Sequence, residues 1–449
     1  MAKSRWIHGT VFTHDGFSLM DLTVEDGIVT ALSPSSSPLV SPSDNETIVD
    51  CHGMTLFPGF VDLHVHFREP GFSYKETIET GTRAAAHGGY TVCCTMPNLK
   101  PVSDSPAHLE TQRALIRETA LVHVLPYGAI SVDEKGKVLT DFEALAPYVV
   151  GFSDDGVGVA DAAVMREAMQ RARAVGKPIV AHAEDLSLVS GGVIHDGAYA
   201  AAHHHKGNPS ASEWTQVERD LRLVKETGAR YHICHISTKE SVALLRKAKA
   251  DDLPVSGETA PHYLTLTDAD LQEDGRFKMN PPVREATDRE ALIAALADGT
   301  LVAVATDHAP HAAEEKAKGL DHSANGIVGL ETAFSVLYTT LVRTGKLPLE
   351  RLIDAMALAP REALALDAVQ EARPGRGIGH GIAVGEPADF SVWDLDATWR
   401  VQPETFLSKG RATPFAGWTL YGLCGATCVA GKPVYVNAEL MDRRTHGYI

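Results

Sequence analysis

Cysteine is scarce in this chain: six among 449 residues (Cys51, Cys93, Cys94, Cys234, Cys424 and Cys428), with no CxxC pair. Cys93 and Cys94 sit inside an apolar run, so the expectation is reduced core thiols in a cytosolic protein rather than a disulfide scaffold. Positive charge is also in deficit. Lys plus Arg is 41 against 58 Asp plus Glu, a net charge of −17. That balance argues against nucleic-acid backbone binding as the main task. It leaves room for an anionic substrate, because one local arginine outweighs a distant excess. Long apolar runs are missing too. None approaches the roughly 20 residues of a membrane span, and Met1–Thr10 has no long apolar core after its basic residues. No membrane association and no secretory signal are therefore read, and a cytoplasmic location is expected.

Histidine, by contrast, is plentiful: 21, many beside Asp or at the ends of apolar runs. The length is too great for one small core and suits a large barrel with an accessory domain. Residues 4–57 read as short strands punctuated by turns such as Asp26-Gly27, with Ser33–Ser43 an exposed Ser/Pro-rich loop. After Pro374-Gly375-Arg376-Gly377 the short-strand pattern returns. One composite β-sandwich domain, 1–57 with 375–449, is expected to flank a barrel at 58–374.

The middle alternates Val- and Ile-rich runs with helix-like stretches. Eight strand candidates stand in order: Leu56–Leu63, Tyr90–Thr95, Val122–Ala129, Tyr148–Phe152, Pro178–Ala181, Arg230–Cys234, Pro254–Gly257 and Leu301–Ala305. Eight is the number a (β/α)8 TIM-like barrel needs, so the fold class is α/β. Most candidates run directly into ionisable or polar residues: His64 and His66, Asn98, Asp154 and Asp155, His182 and Glu184, His235, Glu258 and His262, and Asp307, His308 and His311. In a parallel barrel all those ends lie at one face, where catalytic groups collect.

His64 and His66 are one residue apart on a strand end and point the same way, so two imidazoles can grip one divalent metal. A lone HxH is a weak signal; the rest of the constellation strengthens it. His64, His66, His182 and His235 exceed what one catalytic zinc takes, and two metals would use them all. Two metals need a bridging anion. The fourth strand end, Ser153-Asp154-Asp155-Gly156, offers two carboxylates and no lysine. Asp307 is placed to bind a metal and exchange a proton as general base and acid. Taken singly, Asp154-Asp155-Gly156 also reads as a turn with solvated acids, and Asp307 as a helix cap.

At these residues the chain resembles the amidohydrolase superfamily, and within it the dihydroorotases of the long bacterial type. The resemblance covers nearly the whole length. It rests on Asp62–Gly71, Thr95–Asn98, Phe152–Gly156, His182–Asp185, His232–Thr238, Lys278–Pro282, Ala305–His311 and Gly326–Thr332, in that order. It implies two zinc ions per chain: His64, His66 and Asp307 on one, His182 and His235 on the other, and a bridging aspartate that the family's spacing places at Asp155 rather than Asp154. It implies substrate contacts at Arg68, Asn98, Asn280, His311 and the backbone near Asn325-Gly326. The implied reaction is reversible closure of N-carbamoyl-L-aspartate to dihydroorotate in pyrimidine biosynthesis, through a hydroxide between the metals. Arg68 would offer the substrate carboxylate a bidentate fork. Among macromolecules the resemblance leaves room for self-association and for a complex with aspartate transcarbamoylase.

Three departures stand out. Asn325 replaces a frequent aromatic residue, Pro261-His262-Tyr263 lacks a second histidine so that His262 is given no role, and His203–Ser210 departs from the usual loop. His203-His204-His205 reads as a solvated loop, and His232, of opposite parity to His235, is expected to face the helices. Glu184 reads equally as a site group or a structural acid. Ala312–Leu320 reads equally as a lid or a plain surface loop. The rival functions are another cyclic amidohydrolase (hydantoinase, dihydropyrimidinase or allantoinase) and a barrel without chemistry that serves aspartate transcarbamoylase; the latter should lack the metal ligands that are all present here.

Overall fold

The apolar runs in the middle of the chain form parallel strands that pair in sequence order. The computed structural model describes residues 3–35, 46–366 and 377–444. Its barrel strands are Phe60–Val65, Tyr90–Thr95, His123–Pro126 continuing at Gly128–Ala129, Phe152–Ser153, Ile179–Ala181, Tyr231–Ile233, Val255–Thr259 and Ala303–Val304. Parallel ladders run through them. A parallel bridge from Val65 to His308 closes the ring. The intervening helices each bury one stripe; in Ala162–Ala174 it is Met165, Ala168, Met169 and Ala172, at helical spacing. Thr77, Ser105, Asp161 and Thr238 cap four of these helices with a side-chain oxygen that accepts a first-turn N–H. Val61, Leu63, Val92, Cys94, Leu125, Val180 and Ala303 form a separate apolar cluster that fills the barrel. This is the expected α/β barrel, and the chain's six cysteines are all buried and free.

Two strand limits differ from the sequence reading. The run at Leu56–Leu63 is two strands, because Thr55–Pro58 pairs with Lys3–Thr13 and with Phe390–Arg400 instead of entering the barrel. The switch falls at Gly59, where an added Cβ would lie 2.2 Å from the Thr91 side chain. A single apolar run thus serves two sheets, and hydrophobicity does not mark the break. The fourth run begins as a short 3-10 turn, Ala146–Tyr148, and only Phe152–Ser153 pairs.

The second sheet has eight strands drawn from both ends of the chain. It wraps an apolar cluster of its own that includes Trp6, Val11, Leu22, Leu56, Phe390 and Cys428. Residues 36–43 of the expected loop and the boundary expected at 374/375 lie outside the described residues. Sheet and barrel meet at an aromatic seam. The Trp393 ring lies 4.4 Å from Phe334 and 5.8 Å from Phe60, and Phe57 lies 5.6 Å from Phe334. No described helix is long and apolar enough to cross a membrane.

The segment after the last barrel strand is built rather than loose. It forms two short helices, Ala313–Lys316 and Gly319–His322. Buried Lys316 donates through Nζ to the carbonyls of Lys278, Ala324 and Gly326 at 2.7–3.0 Å. His203 and His204 are exposed, but His205 is clasped: Nδ1 lies 2.6 Å from Asp321 and Nε2 2.9 Å from Glu273.

Gly59→Ala is expected to lower stability by about 1–3 kcal/mol through overpacking. Gly59→Ala/Thr91→Ala should recover part of the lost Tm, since the Thr91 hydroxyl is buried without a partner; no recovery would place the strain elsewhere. His205 supplies a pH prediction. Only imidazolium has two N–H donors for two carboxylates. Burial opposes that charge, but the bonds to Glu273 and Asp321 outweigh it and raise the pKa. A raised folded pKa gives stability that is full below the unfolded value of about 6.5 and fades as pH climbs through the folded value. Hydrogen exchange over 312–322 should therefore be slower in the parent than in His205→Gln at pH 6, with the difference shrinking as pH rises through the folded value. A difference that does not change with pH would contradict the clasp.

Candidate metal centre and active site

Six residues from five of the strand ends converge at one rim. His64 and His66 end the first strand, and Asp155, His182, His235 and Asp307 follow the fourth, fifth, sixth and eighth. His66 Nε2 lies 3.2 Å and His64 Nε2 3.6 Å from Asp307 Oδ1. His182 Nδ1 and His235 Nε2 lie 3.0 Å apart. Asp155 sits between the two groups. Its Oδ1 is 3.3 Å from His64 Nε2 and 3.7 Å from both His182 Nδ1 and His235 Nε2, while its Oδ2 is 3.5 Å from His66 Nε2. None of the six is more than 6% exposed.

This donor set fits divalent cations. Within it, His64 Nε2 and Asp155 Oδ1 are buried and make no well-formed hydrogen bond. Buried polar atoms rarely stay unpaired, and facing donor atoms at these separations are what an ion would satisfy. Two sets, His64–His66–Asp307 and His64–Asp155–His235, each bring their ligand atoms within 4.8 Å of one another. The electrostatics agree. Burial opposes a charge on His64, yet Asp155 holds its pKa well above the ordinary value. Burial also works to raise Asp155, but the neighbouring histidines, His64 foremost, drive it well below the carboxylate range. The rim favours positive charge. His235 and Asp307 occupy the left-handed backbone region at φ 35° and 48°, a strained conformation that packing has to maintain.

Around the six lies a ring of side chains that hold them. Asn98 joins His66 Nδ1 at 3.0 Å and donates to Asp155 Oδ2 at 3.3 Å. Glu184 lies 3.3 Å from His182 Nε2 and accepts from Asn280 and Asn208 at 3.0 and 3.2 Å. Asp62 accepts the backbone N–H groups of His64 and Thr306, tying the first strand to the last. His308 is buried away from the cluster, 3.4 Å from Glu76. Asp154 turns toward the third strand end, where it accepts the Ser131 N–H at 3.0 Å and the Ser131 hydroxyl.

The mouth carries the cations. Arg68 donates through Nε to the Pro310 carbonyl at 3.2 Å. Burial brings its pKa down only to about 10, so it stays charged. His311 accepts from Lys75 at Nδ1 (3.2 Å) and donates from Nε2 to the Asn325 carbonyl (2.8 Å). The side chain of Asn325 is exposed, and the Gly326 N–H donates to Lys278.

Three residues at the rim were given no site role by the sequence, although Glu258 and His262 stand among its strand-end groups. Glu258 lies 3.3 Å from His64 Nδ1 and 3.2 Å from His232 Nε2. His232 thus faces the barrel interior and not the helices: the strand ends at Ile233, and the positive φ of His235 breaks the alternation on which the parity count relied. His262 is buried with Nε2 unpaired, and burial pushes it down to about 4, so it is neutral near Asp307 and His235. Glu258 lies within the seventh strand and His262 just after it, so position marked both as strand-end groups but not which neighbours they serve.

With that geometry in view, likeness to known proteins is informative. Residues 53–241 match the family model "Dihydro-orotase-like". The chain is 46% identical over 434 residues to a dihydroorotase of Bacillus caldolyticus, covering 96% of this chain and 98% of that protein. It is 47% identical over 431 residues to one from Geobacillus sp. (strain WCH70), covering 95% and 97%. Its fold superposes on an L-hydantoinase (dihydropyrimidinase) from Arthrobacter aurescens with a TM-score of 0.83 at 27% identity, over 96% of each chain. Near-complete coverage at that identity, with each of the six rim positions filled, means that the chain belongs to the dihydroorotase family.

Proposed function

We propose that this chain carries out its dihydroorotase reaction, the reversible closure of N-carbamoyl-L-aspartate to (S)-dihydroorotate and water, at the rim cluster with two zinc ions bound there. His64, His66 and Asp307 would hold one ion and His182 and His235 the other, with Asp155 shared between them. Imidazole with carboxylate suits zinc. The ions, when bound, supply Lewis acidity toward a carbonyl and a water that ionises near neutral pH. The observation that carries this reading is the position of Asp155, with Oδ1 within 3.7 Å of His64, His182 and His235 and Oδ2 within 3.5 Å of His66.

The protein's own groups do the rest. In the hydrolytic direction Asp307 accepts the proton of the attacking water and passes it to the departing ring nitrogen. Burial works to raise Asp307, but His66 and His64 hold it well below the ordinary range, so it is ionised. In cyclisation the same carboxylate takes the proton from the ureido nitrogen as that nitrogen attacks the carboxyl carbon, and returns it to the carboxyl oxygen, whose bond to carbon breaks so that it leaves as water. Arg68, tethered through Nε, keeps its Nη groups for the substrate carboxylate that survives the reaction. Asn98, Asn280, His311 and the backbone at Asn325-Gly326 would complete the contacts, exchanging bonds within the protein for bonds to substrate. Low exposure of the cluster strengthens each of these interactions. The 27% likeness to an L-hydantoinase reflects a shared barrel, whereas identity of 46–47% is to dihydroorotases.

Arg68→Ala is expected to raise KM for dihydroorotate by about 10–100-fold, the loss of a charge-assisted pair, with the bound metal content unchanged. Unchanged KM, or loss of metal, would contradict the role of Arg68. Dialysis against a chelator should abolish dihydroorotate hydrolysis, and activity should return only as two equivalents of zinc per chain are restored. Full activity in the metal-free protein, or at one equivalent, would refute the two-ion reading. So would faster turnover of hydantoin or allantoin refute the substrate.

A further inference from the structure

We propose that Glu258 is a positioning residue for metal binding, fixing the ring and tautomer of His64, and that His232 and Ser256 fix Glu258 in turn. The inference rests on the reading of His64 as a metal ligand. His64, Glu258 and His232 are all 0% exposed, and their polar atoms form one chain. Ser256 Oγ lies 2.8 Å from His232 Nδ1, His232 Nε2 lies 3.2 Å from one Glu258 oxygen, and the other Glu258 oxygen lies 3.3 Å from His64 Nδ1. Both atoms of that last pair, Glu258 Oε1 and His64 Nδ1, are buried and make no well-formed hydrogen bond, so the 3.3 Å contact is the one that can satisfy them.

Hydrogen placement follows from donor and acceptor capacity. A carboxylate only accepts, so each imidazole nitrogen facing Glu258 has to carry the hydrogen. His232 therefore donates from Nε2, and its Nδ1 accepts the Ser256 hydroxyl. His64 donates from Nδ1, so the nitrogen it can offer to a cation is Nε2, the atom that faces Asp155 and Asp307. Without Glu258 the preference reverses. Asp155 at 3.3 Å and Asp307 at 3.6 Å would draw the hydrogen onto Nε2, where it occupies the position of a cation. Glu258 thus competes with the two rim carboxylates for one hydrogen, and its success keeps the ligand face of His64 open. Outer partners that orient ligating histidines typically change metal affinity by about 10–100-fold.

The test is zinc titration of the metal-free protein against a chromophoric chelator, comparing the parent with Glu258→Gln and His232→Gln. Glu258→Gln keeps the volume, so metal-free protein should unfold at nearly the parent Tm while zinc affinity falls about 10–100-fold. His232→Gln, one step further out, should lose less. A structural role alone would lower the metal-free Tm and leave zinc affinity at the parent value; that result overturns the proposal. If Glu258→Gln does not fold, Ser256→Ala and His232→Gln carry the test, and parent-like zinc affinity in both overturns it. A parent that binds no zinc overturns the metal reading itself, and with it this one; a parent that binds while Glu258→Gln binds equally well overturns this one alone.

Discussion

Burial of carboxylates and imidazoles together at one rim is the constraint around which the rest of the fold is arranged. Asp155, Asp307 and Glu258 are almost wholly removed from water, and like charges in a low-dielectric site repel unless cationic or donor groups compensate. The histidines between them provide that compensation locally. Burial works to raise Glu258, yet His232 and His64 hold it at about 2. Such a cluster is unfavourable to assemble, so stability has to come from elsewhere. The apolar plug of Val61, Leu63, Val92 and Cys94 lies in the same barrel, and the Phe60–Phe334–Trp393 seam clamps the barrel onto the second sheet. Asp62 then staples the first strand to the last through the His64 and Thr306 N–H groups, which brings the two ends of the ring into register beneath the ligands.

The barrel was legible in the sequence because each short apolar run ended in a group that chemistry can use, and only a parallel ring gathers such ends at one face. The convergence of His64, His66, His182, His235 and Asp307 follows from that alone. Strand limits were less legible, for a physical reason. Gly59 divides one apolar run between two sheets, and a glycine chosen for the close approach of Thr91 looks no different from any other glycine. Asp154 and Asp155 could not be told apart from the residues alone either. They are adjacent acids, and what separates them is Ser131, a long-range partner that accepts no role in any local pattern. The strand parity that assigned His64 and His66 correctly to one side misassigned His232, because alternation holds only while the backbone stays extended, and at His235 it does not.

Side-chain amides show a second limit. Asn98 and Asn280 have the donor and acceptor pairs that a ureido group needs, and those same pairs satisfy His66, Asp155 and Glu184. A residue type at a strand end therefore says that it belongs to the site, not which neighbour it serves. The outer ring matters because ligand geometry is fixed by what stands behind the ligands. Asn98 behind His66, Glu184 behind His182 and Glu258 behind His64 repeat one arrangement: an oxygen acceptor facing the ring nitrogen that points away from its neighbours in the cluster or flanks them. Three strands supply it independently, which makes it a requirement of the chemistry rather than an accident of packing.

The acidic balance of the chain and an anionic substrate are reconciled by distance. Charges separated by more than about 8–10 Å are largely screened at physiological salt, so a net charge of −17 spread over the surface says little about the field at the mouth. Beside His311, a cavity of about 380 Å³ is lined by Arg276, Lys409 and Arg411, with Asp274 and Glu404 as its acids. Arg68 and Lys75 also stand close to His311. Below them the rim is rich in carboxylates whose charge the bound cations would offset. Local cations such as Arg68 would thus outweigh the distant acidic surface for a carboxylate substrate.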